Sequence, residues 1–190
     1  MPAAPPEPPY APYTIRPFRA ADAEAVNRVA LAAFAEYRGA YDDWDGLAAR
    51  VGRMADLATA GELLVAAAGA GEDAASDGAA LGGGPGAGAV LGAVVYVGPG
   101  REKAAFFRPE WPVVRMLVVD PAARGRGVGR ALTEACVRRA ARDGAPVIAL
   151  HTSPIMHVAL PMSLRMGFAP EREVAPMRGM PNAVYVKRLR

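Results

Sequence analysis

Residues 113–132 read V-V-R-M-L-V-V-D-P-A-A-R-G-R-G-V-G-R-A-L. Val113–Asp120 is the strongest strand signal in the chain, an apolar run interrupted only by Arg115 before its terminal aspartate. Pro121 ends it. After the glycines an amphipathic helix is predicted over about Val128–Arg142, stopped by Asp143-Gly144 with Pro146 beyond. Between strand and helix lies Arg124-Gly125-Arg126-Gly127-Val128-Gly129-Arg130. The first turn of a helix exposes amide N–H groups that have no partner within it, and the helix dipole adds partial positive charge there. Gly125, Gly127 and Gly129 let a phosphate reach the backbone with no Cβ in the way. The arginines can add charge-assisted hydrogen bonds. This turn fits a pyrophosphate.

Two common phosphate fingerprints do not apply. A G-x-G-x-x-G reading puts Arg130 where the third glycine belongs, and no lysine stands near for a Walker loop. An ordinary glycine-rich turn with solvated arginines is the competing reading of the motif taken alone.

Working outward, Val147–His151 reads as a further strand and Met156–Met166 as a short helix closed by Gly167. Val174–Met177 and Ala183–Leu189 are closing strands. Upstream, Val90–Val97 pairs as a hairpin with Glu62–Ala67 across residues 68–89, a Gly/Ala tract too poor in bulky apolar groups to offset its ordering entropy. Thr14–Phe18 is a short edge strand containing Pro17. Asp22 is placed to cap a helix whose face carries Val26, Val29, Ala30, Ala33, Phe34 and Tyr37; a second helix aligns Leu47, Val51, Met54 and Ala58. The Pro/Ala-rich residues 1–12 read as a disordered tail. The order β-α-α-β-β-β-α-β-α-β-β predicts an α/β (α+β) domain over residues 13–190, with a mixed sheet between layers of helices.

Composition narrows the classes. At 190 residues the chain suits one domain. No run of eighteen apolar residues is present, and the N-terminus lacks a cationic n-region and apolar h-region, so the expectation is a cytoplasmic protein without membrane partners. The single Cys136 lies in an apolar helical stripe and reads as a small buried hydrophobe. With two histidines and one cysteine, no metal is expected. A net charge of +3 spread along the chain argues against nucleic acid and suits a small polyanion.

Residues 113–132 closely resemble motif A of the GNAT superfamily of N-acetyltransferases, [Q/R]-x-x-G-x-[G/A] after a strand ending in V-x-P. Arg124, Gly127, Gly129, Val119 and Pro121 match it. The strand at Val147–Leu150, then Ala159, then Gly167-Phe168 resembles the second motif. The likeness is specific over about residues 113–168. It implies a mostly antiparallel mixed sheet with helices on both faces, splayed at residues 113–119 and 147–151. Acetyl-CoA would be the co-substrate in that wedge. Backbone groups of Leu117, Val118 and Val119 would hold the pantetheine arm and acetyl carbonyl. The turn Arg124, Gly125, Arg126, Gly127, Val128, Gly129 and Arg130 would bind the pyrophosphate.

Amide formation from a thioester needs a neutral amine, a polarised carbonyl and a proton for the leaving thiolate. Many members supply the proton from a tyrosine four residues before the Gly-Phe pair, where Ser163 stands here. Some carry a glutamate base five residues before the position of Asp120; Arg115 occupies it, and a guanidinium is no base at neutral pH. Ser163, acting through water, and Glu110 or His151 as base are the candidates. The acceptor is expected near Tyr37, Tyr41 and Trp44, which alternate with Asp42, Asp43 and Asp45 and suit a cationic amine. The same aspartates can instead cap the second helix. The leading expectation is direct acetyl transfer to a primary amine of a small molecule or peptide, with a homodimer an admissible assembly. The alternative is a non-catalytic acyl-CoA-binding module, which Ser163 and Arg115 make plausible. An RNA-binding face at Arg138, Arg139 and Arg142 lacks the aromatic stacking pattern it needs.

Overall fold

The motif strand, Val113–Val119, lies at the centre of the sheet. In the computed structural model, which describes residues 13–69 and 88–189, the strands are β1 (Tyr13–Pro17), β2 (Glu62–Ala68), β3 (Val90–Val97), β4 (Val113–Val119), β5 (Val147–Thr152), β6 (Ala169–Met177) and β7 (Met180–Arg188). The helices are α1 (Ala23–Ala35), α2 (Trp44–Val51), α3 (Val128–Arg142) and α4 (Ala159–Arg165). The predicted tail and most of the predicted low-complexity insertion fall outside the described residues. No helix among the described residues is long and apolar enough to cross a membrane.

The strands form one sheet in the order β1-β2-β3-β4-β5-β7-β6. Every neighbouring pair is antiparallel except β4 and β5, which are parallel and joined through α3. The mixed, mostly antiparallel sheet expected from the sequence is therefore observed. β2 and β3 are buried almost end to end, which is why both read as unbroken apolar runs. One face packs under α1 and α2 through Val26, Val29, Leu47, Val65 and Val95; the other packs under α3 through Leu91, Val128, Leu132 and Ile148. Each fully buried valine or leucine here contributes about 1.5–3 kcal/mol. Cys136 sits in the second cluster, and burial pushes its thiol up to about 12. It is inert as a nucleophile at neutral pH.

Several boundaries differ from the sequence reading. Asp22 does not cap α1 through its side chain. Its carboxylate instead accepts from Arg19 N–H at 2.8 Å and pairs with both terminal nitrogens of Arg16 at 2.7 and 2.8 Å. Arg16 and that amide hold the Asp22 carboxyl below the usual range. α2 ends at Val51, and Met54 and Ala58 belong to a following 3₁₀ segment, Met54–Thr59. α4 begins three residues later than expected, at Ala159. β6 is longer than predicted because it is an exposed edge strand with Pro170, Pro176 and charged residues, so no apolar alternation marks it.

Gly92 in β3 fixes how closely α3 approaches the sheet. A Cβ there would lie 2.7 Å from Val118 O, 3.1 Å from Val128 Cγ1 and 3.2 Å from Leu132 Cδ1. The Gly92→Ala variant is expected to lose about 1–3 kcal/mol of stability by urea denaturation, because β4 and α3 must both move. A variant as stable as the parent would contradict this packing.

Candidate active site

Parallel pairing between β4 and β5 extends only over Val113↔Ala149 and Val114↔Leu150, with Ala149 N–H reaching Pro112 O at 2.9 Å. Beyond these pairs the two strands part. On its other side β4 stays paired with β3, but with a bulge: Val95 faces Arg115 and Ala93 faces Val118, so one residue of β3 spans two of β4. Met116, inside the bulge, takes a φ of 52°. A methionine in that region costs on the order of 1–3 kcal/mol, so the surrounding packing must hold it there. The edge of β4 from Met116 to Val119 faces the gap without a ladder partner on that side.

The gap opens into a cleft of about 350 Å³. Leu117, Val118 and Val119 line it from β4, and Arg124, Gly125, Gly127, Val128, Gly129 and Arg130 line it from the turn. Nine of the ten residues named from the motif thus meet at one surface; Arg126 does not line it. Gly127 (φ 77°) precedes α3 at its cap position and has no side chain to cap the helix. Ala131 is the first residue whose amide bonds back, to Gly127 O at 3.0 Å. The amides of Val128, Gly129 and Arg130 are therefore available at the cleft.

The opposite wall comes from α4 and the end of α1. Met162, Met166 and Arg165 line it beside Phe34, Glu36 and Tyr37. Of these, only Tyr37 was named from the sequence as a site residue and Phe34 as part of the first helix face; Glu36, Arg165, Met162 and Met166 were not singled out, although Met162 and Met166 at i, i+4 mark one helical face. Arg124 spans the site: its terminal nitrogens bond the Glu36 carboxylate at 3.0 and 2.7 Å, and one lies 3.4 Å from Ala33 O. Arg124 holds the Glu36 carboxyl below its usual range. Burial, reinforced by Glu36, pushes the Tyr37 phenol up to about 12. Tyr37 stacks edge-on against His157 at 5.7 Å.

The other expected residues are placed differently. Tyr41 and Trp44 line a separate, more open hollow with Asp42, Asp43 and Asp45, so the three aromatics do not form one wall. Asp43 caps α2 by accepting from Gly46 N–H at 2.9 Å and also pairs with Arg178, while burial raises the Tyr41 phenol. Ser163 is 4% exposed, and its hydroxyl donates to Ala159 O at 2.9 Å within α4. It is not among the residues lining the cleft. Glu110 is exposed in the β3–β4 connection, away from the cleft lining. His151, one residue before the end of β5, is half-buried and is not among the residues lining the cleft; the Phe106 and Phe107 rings stand edge-on to it at 5.2 and 5.9 Å. Burial, and then the nearby Arg115 charge, lowers its pKa.

The model of the acetyltransferase (GNAT) family matches residues 67–168. Several solved structures share the fold. One is the histone acetyltransferase HPA2 and related acetyltransferase from Corynebacterium glutamicum, 23% identical with a TM-score of 0.63, covering 93% of this chain and 96% of that one. A GCN5-related N-acetyltransferase from Kribbella flavida is 21% identical with a TM-score of 0.62, covering 93% and 98%. A chain of the NatC complex bound to Gag peptide and CoA is 14% identical with a TM-score of 0.56, covering 94% and 99%. At these identities the likeness is one of fold. No curated protein matches the chain. The family model spans more than half of the 190 residues, over the strand, turn and helix that build the cleft, and the chain belongs to the GNAT family of acetyltransferases.

Proposed function

We propose that this chain binds acetyl-CoA along β4 and at the start of α3, and directs the acetyl group to a primary amine in a ternary complex. The observation that carries this reading is the meeting, in one cleft, of a strand edge without a ladder partner and a helix start without a cap. An extended chain bearing amides can complete the edge as an added strand would. A pyrophosphate can satisfy the amides of Val128, Gly129 and Arg130. The αL glycines at 125 and 127 keep side chains clear of it. Arg165 lines the same surface and supplies positive charge, and Arg130 joins it with only its Nε bonded to Glu134, at 2.8 Å. Arg124 is engaged by Glu36, so in this scheme it braces the turn against α1 rather than binding phosphate.

Bound acetyl-CoA supplies an activated thioester. The chain's task is to orient that carbonyl and to deliver a neutral amine. In this reading the freed amides of β4 polarise the carbonyl, as fixed dipoles do best in a site closed to water. His151 takes the proton from the amine, directly or through one water. Its lowered pKa keeps it neutral at pH 7 and able to accept. Ser163 and Glu110 take no part in this scheme, the first because its hydroxyl is spent on Ala159 O and the second because it is solvent-exposed in the β3–β4 connection, whereas His151 directly follows the last β4–β5 pair. The leaving thiolate is protonated from solvent.

Calorimetric titration with acetyl-CoA is expected to show binding that weakens when the pyrophosphate is removed, as in acetyl-pantetheine. Gly127→Asp places a carboxylate where phosphate belongs and should weaken binding on the order of 100-fold. Gly127→Ala, whose added Cβ meets only Tyr13 Oη at 3.5 Å, isolates the backbone cost of about 1 kcal/mol. Near-parental affinity in the aspartate variant would refute the turn as the phosphate site.

The pH profile tests His151. Because its pKa lies below the ordinary value of about 6.5, kcat/KM referred to the neutral form of the amine should be flat above that pH and fall as pH drops through the lowered pKa. His151→Gln should remove this limb and lower kcat about 100-fold. An acid limb unchanged in that variant rules the residue out as base.

A further inference from the structure

We propose that the amine acceptor carries an anionic group, a carboxylate or a phosphorus oxyanion, bound by Arg115 beside His151. The inference rests on the acetyl-CoA reading above and adds the chemical class of the second substrate.

Arg115 and His151 are the first residues past the end of the β4–β5 ladder, one on each side of the opening. Register places both on the same face. Arg115 pairs with Val95 and His151 with Val184, and both valines belong to the core under α1 and α2. Paired residues of an antiparallel ladder share a face. Arg172 also pairs with Val184, so it extends the row onto β6 and donates to Phe106 O. Phe106 and Phe107 close over the imidazole. The row therefore brings two guanidiniums and one imidazole to the opening of the wedge, on the face opposite α3.

Among the described residues, no carboxylate forms an ion pair with Arg115 or Arg172. Most of the acids that might have drawn a cationic acceptor are used elsewhere, and Asp45 lines the separate hollow with Tyr41 and Trp44. Asp22 is held by Arg16, Glu36 by Arg124, and Asp43 by the α2 amide and Arg178. Asp42 lies against the backbone of Gly179 in the β6–β7 turn. A cationic amine such as a polyamine would face two positive charges at the wedge. A substrate with an acid one or two carbons from its amine would instead pair its anion with Arg115 and turn its amine toward His151. A guanidinium suits this because it offers a planar fork to carboxylate or phosphonate oxygens.

The test uses matched pairs of acceptors with the full chain and acetyl-CoA: methionine and 3-(methylthio)propylamine, phenylalanine and phenethylamine, 2-aminoethylphosphonate and ethylamine, with spermidine as a cationic reference. Free-thiol release is read for each, and the balance between amino acids and phosphonate separates the two anion types. The anionic members should exceed their partners by about tenfold or more in kcat/KM, as expected for one charge-assisted contact. Arg115→Ala should raise KM for them about 30-fold, with kcat changed less than about threefold and acetyl-CoA affinity unaltered; Arg115→Lys should recover part of the loss. Preference for spermidine, equal turnover within pairs, or silence of every anionic member in a protein that binds acetyl-CoA would overturn the proposal. Absence of acetyl-CoA binding in calorimetry would mark a failure of the underlying function instead, and the proposal would fall with it.

Discussion

Beyond Val114, β4 keeps its pairing with β3 and loses its pairing with β5, and the rest of the molecule is arranged around that loss. A strand in the middle of a sheet ordinarily spends its amides and carbonyls on both neighbours, because a buried unpaired backbone group costs as much as a lost hydrogen bond. Here the bulge at Met116 turns the strand, and the positive φ of a non-glycine residue shows that surrounding contacts enforce the turn. Gly92 permits Val118 O, Val128 and Leu132 to crowd against β3, so the position of α3 depends on the same few residues as the bulge. The strand edge and the helix start face one cleft because both are fixed to β3.

Charge is distributed to hold this arrangement rather than to fill the cleft. Glu36 grips Arg124 with two hydrogen bonds and ties the end of α1 to the glycine turn. That pair is about one-third exposed on each side, so its worth is modest and its effect is on geometry more than on stability. The Tyr96 hydroxyl donates to Asp143 at 2.7 Å where α3 ends, and Arg139 meets Glu62. Asp22 joins β1 to the start of α1. With these carboxylates committed to structure and Arg130 paired with Glu134, the positive charge of Arg115, Arg165 and Arg172 is left at the open surfaces.

The features legible in the sequence were those written as periodic apolar patterns or as turn chemistry. The runs at Val90–Val97 and Val113–Val119, the glycine turn and the Asp143-Gly144 stop each reflect a local requirement, so each could be placed within a residue or two. β6 was shortened because an exposed edge strand has no buried face to leave a pattern. The bulge left no mark at all: V-V-R-M-L-V-V holds no glycine, and Met116 adopts αL only because tertiary packing overrides its preference. Asp22 offered the signature of a helix cap, yet Arg16 from β1 claimed its carboxylate, a contact that depends on how a strand lies beside a helix. Tyr37, Tyr41 and Trp44 looked like one cluster because they are close in sequence. The 3₁₀ turn at Arg38–Ala40 separates them into two surfaces.

By the motif resemblance, Ser163 stands where many family members hold a tyrosine acid, and Arg115 where some hold a glutamate base. Ser163 fills its hydrogen-bonding need inside α4, which leaves that helix presenting Met162 and Met166 to the cleft. Arg115, in turn, removes a carboxylate from the sheet face where His151 stands. A glutamate there would stabilise the imidazolium and raise the histidine pKa, whereas a guanidinium opposes protonation. Arg115 in place of a carboxylate therefore does more than leave out a base: after burial, its charge further disfavours the imidazolium, and it puts positive charge on the same face.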